Sequence, residues 1–193
     1  MGGYSFSSED FSGRTALITG AARGLGREIG QMFHDRGARI ILVDIDNRVE
    51  QTAADIDPES KTAIGKIADL TDDKSVALLR EAVIQEIGDI DTLINNAGAY
   101  APHAIRDISG SDFDERIAIN LKTVFLTTQA FMDSLSSTQC GRVVNIASAD
   151  AYRPKVTNAP YAAAKAGVIS LTKSFAAELA PNVLVNGVSP GPI

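Results

Sequence analysis

Short apolar runs alternate along the chain with longer segments in which apolar residues recur every three or four positions. The short runs are rich in Val, Ile and Leu, and they predict strands at residues 15–19, 39–43, 62–68, 92–95, 141–147 and 183–188. The longer segments predict helices at residues 25–36, 48–56, 73–87, 112–135 and 160–179. Because several strands are continuously apolar, we expect both faces of their sheet to be buried. The pattern predicts an α/β fold with a doubly wound parallel sheet of six strands.

The length and composition suit a single folded domain. The chain has 193 residues, of which 45% are hydrophobic and 22% charged, and we expect one domain over residues 13–193. Residues 1–12 are rich in Ser and Gly, which predicts a flexible N-terminal lead-in.

Charge and cysteine content argue against several classes of function. With 18 Lys and Arg against 24 Asp and Glu, the net charge is −6, which disfavours binding to nucleic acid or to a membrane surface. Cys140 is the only cysteine and there are two histidines, so no intramolecular disulfide can form and no metal site is expected. The N-terminus lacks the pattern of a secretory signal, and no apolar run is long enough to span a membrane. We therefore expect a cytoplasmic protein.

A glycine-rich turn follows the first predicted strand, where ligands bind in open parallel sheets. It reads Thr19-Gly20-Ala21-Ala22-Arg23-Gly24-Leu25-Gly26 and leads into a helix. Glycines let the backbone approach a pyrophosphate, and the helix N-terminus offers free amides. The spacing Gly-x-x-x-Gly-x-Gly differs from the dinucleotide pattern Gly-x-Gly-x-x-Gly, so a tight turn without a ligand remains an alternative.

An acidic residue near the end of the second strand bears on the choice of cofactor. Asp44 lies 18 residues after Gly26, where a carboxylate accepts hydrogen bonds from the adenosine ribose and repels a 2′-phosphate. Asp44 could instead be a helix N-cap. Arg23 would favour a 2′-phosphate, whereas Asp46 adds a second negative charge. We expect NAD rather than NADP.

Three further segments make the sequence similar to a known family. Asn95-Asn96-Ala97-Gly98 follows the fourth predicted strand, Ser148 follows the fifth, and Tyr161-Ala-Ala-Ala-Lys165 comes 13 residues later. Together with the glycine turn, this ordered set resembles the short-chain dehydrogenase/reductase family over residues 14–193. The resemblance implies a Rossmann-like fold and an oxidoreductase that acts on CH–OH groups with a nicotinamide cofactor.

The resemblance also implies roles for individual residues. Four positions match the catalytic tetrad of the family: Asn120, Ser148, Tyr161 and Lys165. The expected cofactor-binding residues are Gly20, Arg23, Gly24, Leu25, Gly26, Asp44, Asp69, Leu70, Asn96, Ala97, Gly98, Tyr161, Lys165, Pro190, Gly191 and Ile193. Arg153, Lys155 and Asn158 lie between Ser148 and Tyr161, in a loop past which substrates of the family run, and have no predicted role.

The spacing of Tyr161 and Lys165 suits proton transfer. Residues four apart share a helix face, so the phenol and the ammonium can lie together. A tyrosine with a reference pKa of about 10 needs roughly 4 kcal/mol of stabilisation to be a phenolate at neutral pH, and one cation about 5 Å away supplies about 3 kcal/mol. We expect Tyr161 to be the general base and Ser148 to hydrogen-bond the reacting oxygen. The resemblance adds that Lys165 holds the nicotinamide ribose and that Asn120 holds a water that relays protons.

Members of the family continue beyond the point where Ile193 stands, with a mobile lid and a last strand-helix unit. We therefore expect the chain to be incomplete at its C-terminus. The favoured hypothesis is an NAD-dependent oxidoreductase of a secondary alcohol or ketone, with a sugar alcohol or other polyol as the suggested substrate. The alternatives are a 3-oxoacyl-(acyl-carrier) reductase using NADPH and a non-catalytic nucleotide-binding module. The resemblance also implies a homodimer or homotetramer.

Overall fold

A six-stranded parallel sheet forms the centre of the molecule. The computed structural model describes residues 11–139 and 141–191. Within these residues the strands lie in the order β3-β2-β1-β4-β5-β6, and every neighbouring pair is parallel. They are β1 (Thr15–Thr19), β2 (Arg39–Asp44), β3 (Ala63–Ile67), β4 (Thr92–Asn95), β5 (Gly141–Ile146) and β6 (Val183–Val188). The predicted strands are confirmed to within one residue at each end.

Helices connect consecutive strands. They are α1 (Gly24–His34), α2 (Arg48–Ile56), α3 (Asp73–Glu86), α4 (Gly110–Ile117), α5 (Thr123–Ser137) and α6 (Ala159–Leu179), with 3₁₀ turns at Ile105–Asp107 and Ala149–Ala151. The prediction of one continuous helix over residues 112–135 is wrong in one respect. A π-helical segment, Ala118–Lys122, separates α4 from α5, and its central side chain, Asn120, belongs to the site described below.

The core lies on both faces of the sheet. Leu17, Ile41 and Leu93 point to one face, where they pack with residues of α3, α5 and α6. Ala16, Ile18, Ile40, Leu42 and Ile94 alternate with them along the same strands and pack with residues of α1 and α2. Burial on both faces explains why these strands are apolar throughout.

The strand order reverses at β1, and this reversal brings the predicted site residues together. Thr19 pairs with Val43 in the parallel register, so the glycine turn after β1 begins beside Asp44 at the end of β2. On the other side Ile18 pairs with Ile94, so the turn also lies beside Asn96 after β4. Ligands of doubly wound sheets bind at such a reversal.

Some predictions fall outside the described residues. These are residues 1–10 of the proposed lead-in, Cys140, and the cofactor-binding residue Ile193. Phe11, which the lead-in included, stacks on Phe33 of α1 with ring centroids 4.8 Å apart. Among the described residues, no helix has the length and hydrophobicity needed to cross a membrane, and no group of three His, Cys, Asp or Glu side chains is placed to hold a metal ion.

Candidate active site

Two adjoining clefts lie where the strands end. The glycine cleft encloses about 600 Å³, and residues lining it include Gly20, Arg23, Gly24, Asp44, Asp69, Leu70 and Ala97. The tyrosine cleft encloses about 650 Å³, and residues lining it include Asn120, Ser148, Tyr161, Lys165, Pro190 and Gly191. Both clefts are lined by Leu25, Asn96, Gly98 and Ala99, so they form one groove. Of the predicted site residues in the described part of the chain, Gly26 alone lines neither cleft.

Backbone conformation explains the glycines of the turn. Gly20 and Gly24 have φ angles of +65° and +58°, which side chains disfavour. A Cβ atom at Gly20 would lie 2.8 Å from the Cα of Ala97, whereas one at Gly24 would meet nothing within 4 Å. At Gly26 it would lie 2.2 Å from the carbonyl oxygen of Gly20. Gly26 therefore permits the turn to pack on the first turn of α1, instead of lining the cleft.

The turns after β1 and β4 are tied together by hydrogen bonds. The Asn96 side-chain amide donates to the carbonyl oxygens of Thr19 and Gly20, each at 3.0 Å. In return, the Thr19 hydroxyl accepts from the backbone amides of Asn96 and Ala97, each at 3.0 Å. These bonds hold Asn96, which lines both clefts, against the glycine turn.

The N-terminus of α1 is suited to a phosphate. Its N-cap residue, Arg23, makes no side-chain capping bond, and the first turn has no acidic residue. By contrast, Asp72 caps α3 and Ser109 caps α4. First-turn amides without a side-chain acceptor, beside the open backbone of Gly24, fit the pyrophosphate of a dinucleotide.

Asp44 is held in place by the glycine turn. Its Oδ2 accepts from the Ala22 amide at 3.0 Å and its Oδ1 from the Asp46 amide at 3.1 Å. Each oxygen keeps a second lone pair for a ligand hydroxyl. The alternative that Asp44 caps a helix is wrong, because α2 begins at Arg48 with Asn47 as its N-cap residue.

Asp46 forms an ion pair with a neighbouring arginine. The Arg48 guanidinium and backbone amide both donate to its carboxylate. These hydrogen bonds hold the pKa of Asp46 at about 2. Asp46 is ionised at neutral pH, but Arg48 offsets its charge.

Lys165 is the most deeply buried charged group of the tyrosine cleft. It lies one turn after Tyr161 on α6 and is 3% exposed. Its Nζ donates to the carbonyl oxygen of Ile146 at 2.7 Å and lies 5.8 Å from the centroid of the Tyr161 ring. Burial lowers the pKa of Lys165 to about 8, so the ammonium form still predominates at pH 7.

The Asn120 side chain clamps a loop that crosses between the clefts. Its Oδ1 accepts from the Ala99 amide at 3.0 Å, and its Nδ2 donates to the carbonyl oxygens of Ala99 at 3.1 Å and Arg116 at 3.0 Å. Both amide protons are thus used, and the side chain could hold a relayed water only through a remaining lone pair of Oδ1. A Cβ atom at Gly98 would lie 2.9 Å from Oδ1 and 3.4 Å from the Nζ of Lys165, which places both groups beside this glycine.

Ser148 lies two residues after the end of β5 and lines the tyrosine cleft. The hydroxyl oxygen accepts from the Asp150 amide at 3.1 Å and so caps the 3₁₀ turn Ala149–Ala151. Its proton remains available for donation. The Ala149 amide donates to the carbonyl oxygen of Pro190 at 2.9 Å, which ties this turn to the segment after β6.

Tyr100 lines the tyrosine cleft but was not predicted from the sequence as a site residue. Its ring packs edge-on against the ring of Tyr161, with centroids 5.3 Å apart and planes at 84°, an arrangement that aromatic pairs favour. The available signal was the aromatic residue two positions after Gly98, at the end of the Asn-Asn-Ala-Gly segment.

A second feature missed from the sequence is a polar chain buried below the clefts. The Asn95 amide donates to Thr128 at 2.9 Å and to Asn145 at 2.8 Å, and the Asn145 amide donates to Thr172 at 2.9 Å. This chain links α5, β4, β5 and α6, the elements that carry or border Tyr161 and Ser148. Buried polar groups satisfied in this way fix a single arrangement of the elements.

Comparison with known proteins agrees with this geometry. A family model described as short chain dehydrogenase matches residues 14–193. The chain belongs to the short-chain dehydrogenase family. It is accordingly an NAD(P)-dependent oxidoreductase acting on CH–OH groups, with the Rossmann-like fold of that family.

Individual relatives of this short-chain dehydrogenase differ in substrate. It is 38% identical over 180 residues to the (2S)-[(R)-hydroxy(phenyl)methyl]succinyl-CoA dehydrogenase subunit BbsD of Thauera aromatica, a match covering 92% of this chain and 72% of that one. It is 34% identical over 183 residues to the 3-oxoacyl-[acyl-carrier-protein] reductase FabG of Salmonella typhimurium, covering 94% and 74%. A solved glucose/ribitol dehydrogenase-type member from Brucella melitensis has a TM-score of 0.88 at 34% identity, covering 94% and 77%.

Proposed function

We propose that this dehydrogenase transfers a hydride between NAD and a secondary alcohol or its ketone, with Tyr161 as the acid–base residue. The observation that carries the proposal is the convergence of Tyr161, Lys165 and Ser148 on one cleft that is continuous with the glycine cleft. A proton-transferring group, a cation and a hydrogen-bond donor in one place are what alcohol oxidation requires.

Each side chain has a distinct task in the proposed reaction. A bound nicotinamide supplies the hydride acceptor in oxidation and the donor in reduction. Tyr161 removes the hydroxyl proton of the alcohol, and Ser148 donates a hydrogen bond to the reacting oxygen. The Lys165 ammonium, held by the Ile146 carbonyl, favours negative charge on the phenol oxygen. In reduction, Tyr161 returns the proton to the carbonyl oxygen.

The expected cofactor contacts follow from the glycine cleft. Gly20, Gly24 and the first-turn amides of α1 would hold the pyrophosphate, and Asp69 and Leu70 would lie against the adenine. Asp44 would accept hydrogen bonds from the ribose hydroxyls. Because Arg48 offsets the charge of Asp46, the preference for NAD depends on Asp44.

Replacement of Tyr161 tests the catalytic proposal. Tyr161→Phe removes the proton-transferring oxygen and keeps the ring that packs against Tyr100. We expect kcat to fall by about 10²- to 10⁴-fold, as for loss of a general base, with the Kd of NADH within a few-fold of wild type. The matched control is Tyr152→Phe, since Tyr152 is 67% exposed and lines neither cleft. Retained turnover in Tyr161→Phe would show that another group transfers the proton.

Replacement of Asp44 tests the cofactor preference. Asp44→Asn removes the charge that would repel a 2′-phosphate. We expect the ratio of kcat/KM for NAD over NADP to fall at least tenfold, and Asp46→Asn to change it less. A wild-type enzyme that prefers NADP would overturn the proposal.

A 3-oxoacyl reductase is the second candidate, favoured by the 34% identity to FabG of Salmonella typhimurium over 183 residues. It predicts faster turnover of 3-oxoacyl thioesters with NADPH than of simple ketones or polyols with NADH. Initial rates of NADPH and NADH oxidation with both substrate classes distinguish the two candidates.

A further inference from the structure

The loop between Ser148 and α6 forms one wall of the tyrosine cleft, and it is anchored at both ends. Its 3₁₀ turn is held by the Ser148 hydroxyl and the Pro190 carbonyl. At its other end, the side-chain amide of Asn158, which is 2% exposed, donates to Asp150 at 2.8 Å. The backbone that carries the intervening side chains is therefore held along the cleft.

Two of those side chains are cations. Arg153 and Lys155 both line the tyrosine cleft. Within the described part of the chain, the Arg153 guanidinium has no hydrogen-bond or ion-pair partner. The Lys155 ammonium lies 3.9 Å from Asp150, a carboxylate that also accepts from Asn158. This wall thus carries two cations, Arg153 and Lys155, and one carboxylate, Asp150, and its net charge is positive.

The cationic wall lies close to the reacting groups. The Lys155 ammonium is 6.0 Å from the centroid of the Tyr100 ring, and Tyr100 in turn packs on Tyr161 at 5.3 Å. Lys155 is therefore within reach of a substrate that places its alcohol at Tyr161 and extends past Tyr100.

The charge of this wall is opposite to that of its surroundings. The whole chain carries a net charge of −6. The glycine cleft is lined by three carboxylates, Asp44, Asp46 and Asp69, against a single cation, Arg23. A local positive field within an acidic protein attracts an anionic ligand to that end of the groove.

We propose that Arg153 and Lys155 recognise an anionic group, a carboxylate or a phosphate, at the end of the substrate away from its alcohol or ketone. The substrate class is then an anionic hydroxy or oxo compound and not the neutral polyol suggested by the sequence. This inference rests on the proposed function, because it assigns the substrate of the same cleft.

The experiment compares charged substrates with neutral counterparts that carry the same ketone and carbon chain. The probes are 4-oxopentanoate, 5-oxohexanoate and 6-oxoheptanoate, each against its primary amide, with 5-oxohexyl phosphate against 6-hydroxyhexan-2-one. Reduction is followed by NADH absorbance with the whole chain, and the measured quantity is the ratio of kcat/KM for the anion over its neutral counterpart. Comparison of the carboxylate probes with the phosphate probe shows which anion Arg153 and Lys155 prefer. The three chain lengths show how far from the ketone the anion binds.

Three variants make the test specific. In Arg153→Met/Lys155→Met the anion preference should fall at least tenfold, through KM more than kcat, because ground-state binding is lost. In Asp150→Asn the carboxylate that competes for Lys155 is neutralised, and the preference should rise several-fold. The control, Lys74→Met/Lys173→Met, removes two exposed cations that line neither cleft, and its preference should equal that of wild type.

The outcomes separate the two proposals. Turnover with no anion preference in wild type, or with the same preference in Arg153→Met/Lys155→Met, overturns this inference and leaves the proposed function standing. Absence of turnover for every probe counts against the proposed function. In that case, calorimetric binding of 5-oxohexanoate and its amide to the complex with NAD⁺ decides the inference. Tenfold tighter binding of the acid, lost in Arg153→Met/Lys155→Met, supports it, and equal binding overturns it.

Discussion

The Asn120 clamp should contribute strongly to stability, and this can be worked out from its hydrogen bonds. Asn120 is fully buried, and its side chain makes three hydrogen bonds to the backbone of Ala99 and Arg116. Asn120→Ala removes all three hydrogen bonds, which tie the buried side chain to the backbone of Ala99, an exposed residue, and Arg116, a partly exposed one. At a net contribution of about 1 kcal/mol for each hydrogen bond, the free energy of unfolding should fall by about 3 kcal/mol.

Urea denaturation followed by circular dichroism measures this loss. The matched control is Asn47→Ala, because Asn47 is exposed and its side chain makes no capping bond at the start of α2. We expect the control to change the free energy of unfolding by less than about 0.5 kcal/mol. If Asn120→Ala costs no more than the control, the three hydrogen bonds do not hold the loop, and the reasoning fails.

Two further predictions concern Gly26 and Lys165. Gly26→Ala should destabilise the protein and weaken NADH binding, since its Cβ would lie 2.2 Å from the Gly20 carbonyl oxygen. The control, Gly110→Ala, should do neither, because nothing lies within 4 Å of its Cβ. Thermal melts and NADH titrations measure both effects. The pKa of Lys165 is about 8 in the folded protein, below its value in the unfolded chain. Above pH 8 the folded state therefore binds fewer protons than the unfolded state, and the free energy of unfolding should rise with pH. Relative to Lys165→Met, the wild-type free energy of unfolding should increase by roughly 2 kcal/mol between pH 7.5 and 9.5, and a difference independent of pH would contradict the burial of an ionisable amine.

Periodicity predicted most of the fold because burial on both faces of a parallel sheet leaves a clear pattern. Continuous apolar runs, such as residues 40–43 in β2, are what a strand covered on both sides requires. The interruption between α4 and α5 left no such signal. A π-helical segment changes the winding over only five residues, Ala118–Lys122, and apolar spacing on either side stays close to that of an α-helix.

The arrangement of the site was predictable in part, because the ends of parallel strands meet at one edge of a sheet. That rule brought the glycine turn, Asp44 and Ser148 together. Contacts between residues that share no motif were not predictable in this way. The edge-on packing of Tyr100 against Tyr161 depends on the path of the loop after β4, and nothing in the local sequence determines that path.

A count of charges along the sequence does not measure the electric field in a cleft, as the two carboxylates after β2 illustrate. From the sequence, Asp44 and Asp46 act together against a 2′-phosphate. In the folded chain the Arg48 guanidinium is paired with Asp46, so that carboxylate has a small effect at a distance. Among the described residues, the hydrogen bonds that Asp44 accepts come from the neutral backbone amides of Ala22 and Asp46, which orient the carboxylate without cancelling its charge. The proposed preference for NAD therefore rests on one carboxylate, and a single neutral substitution at Asp44 should be enough to remove most of it.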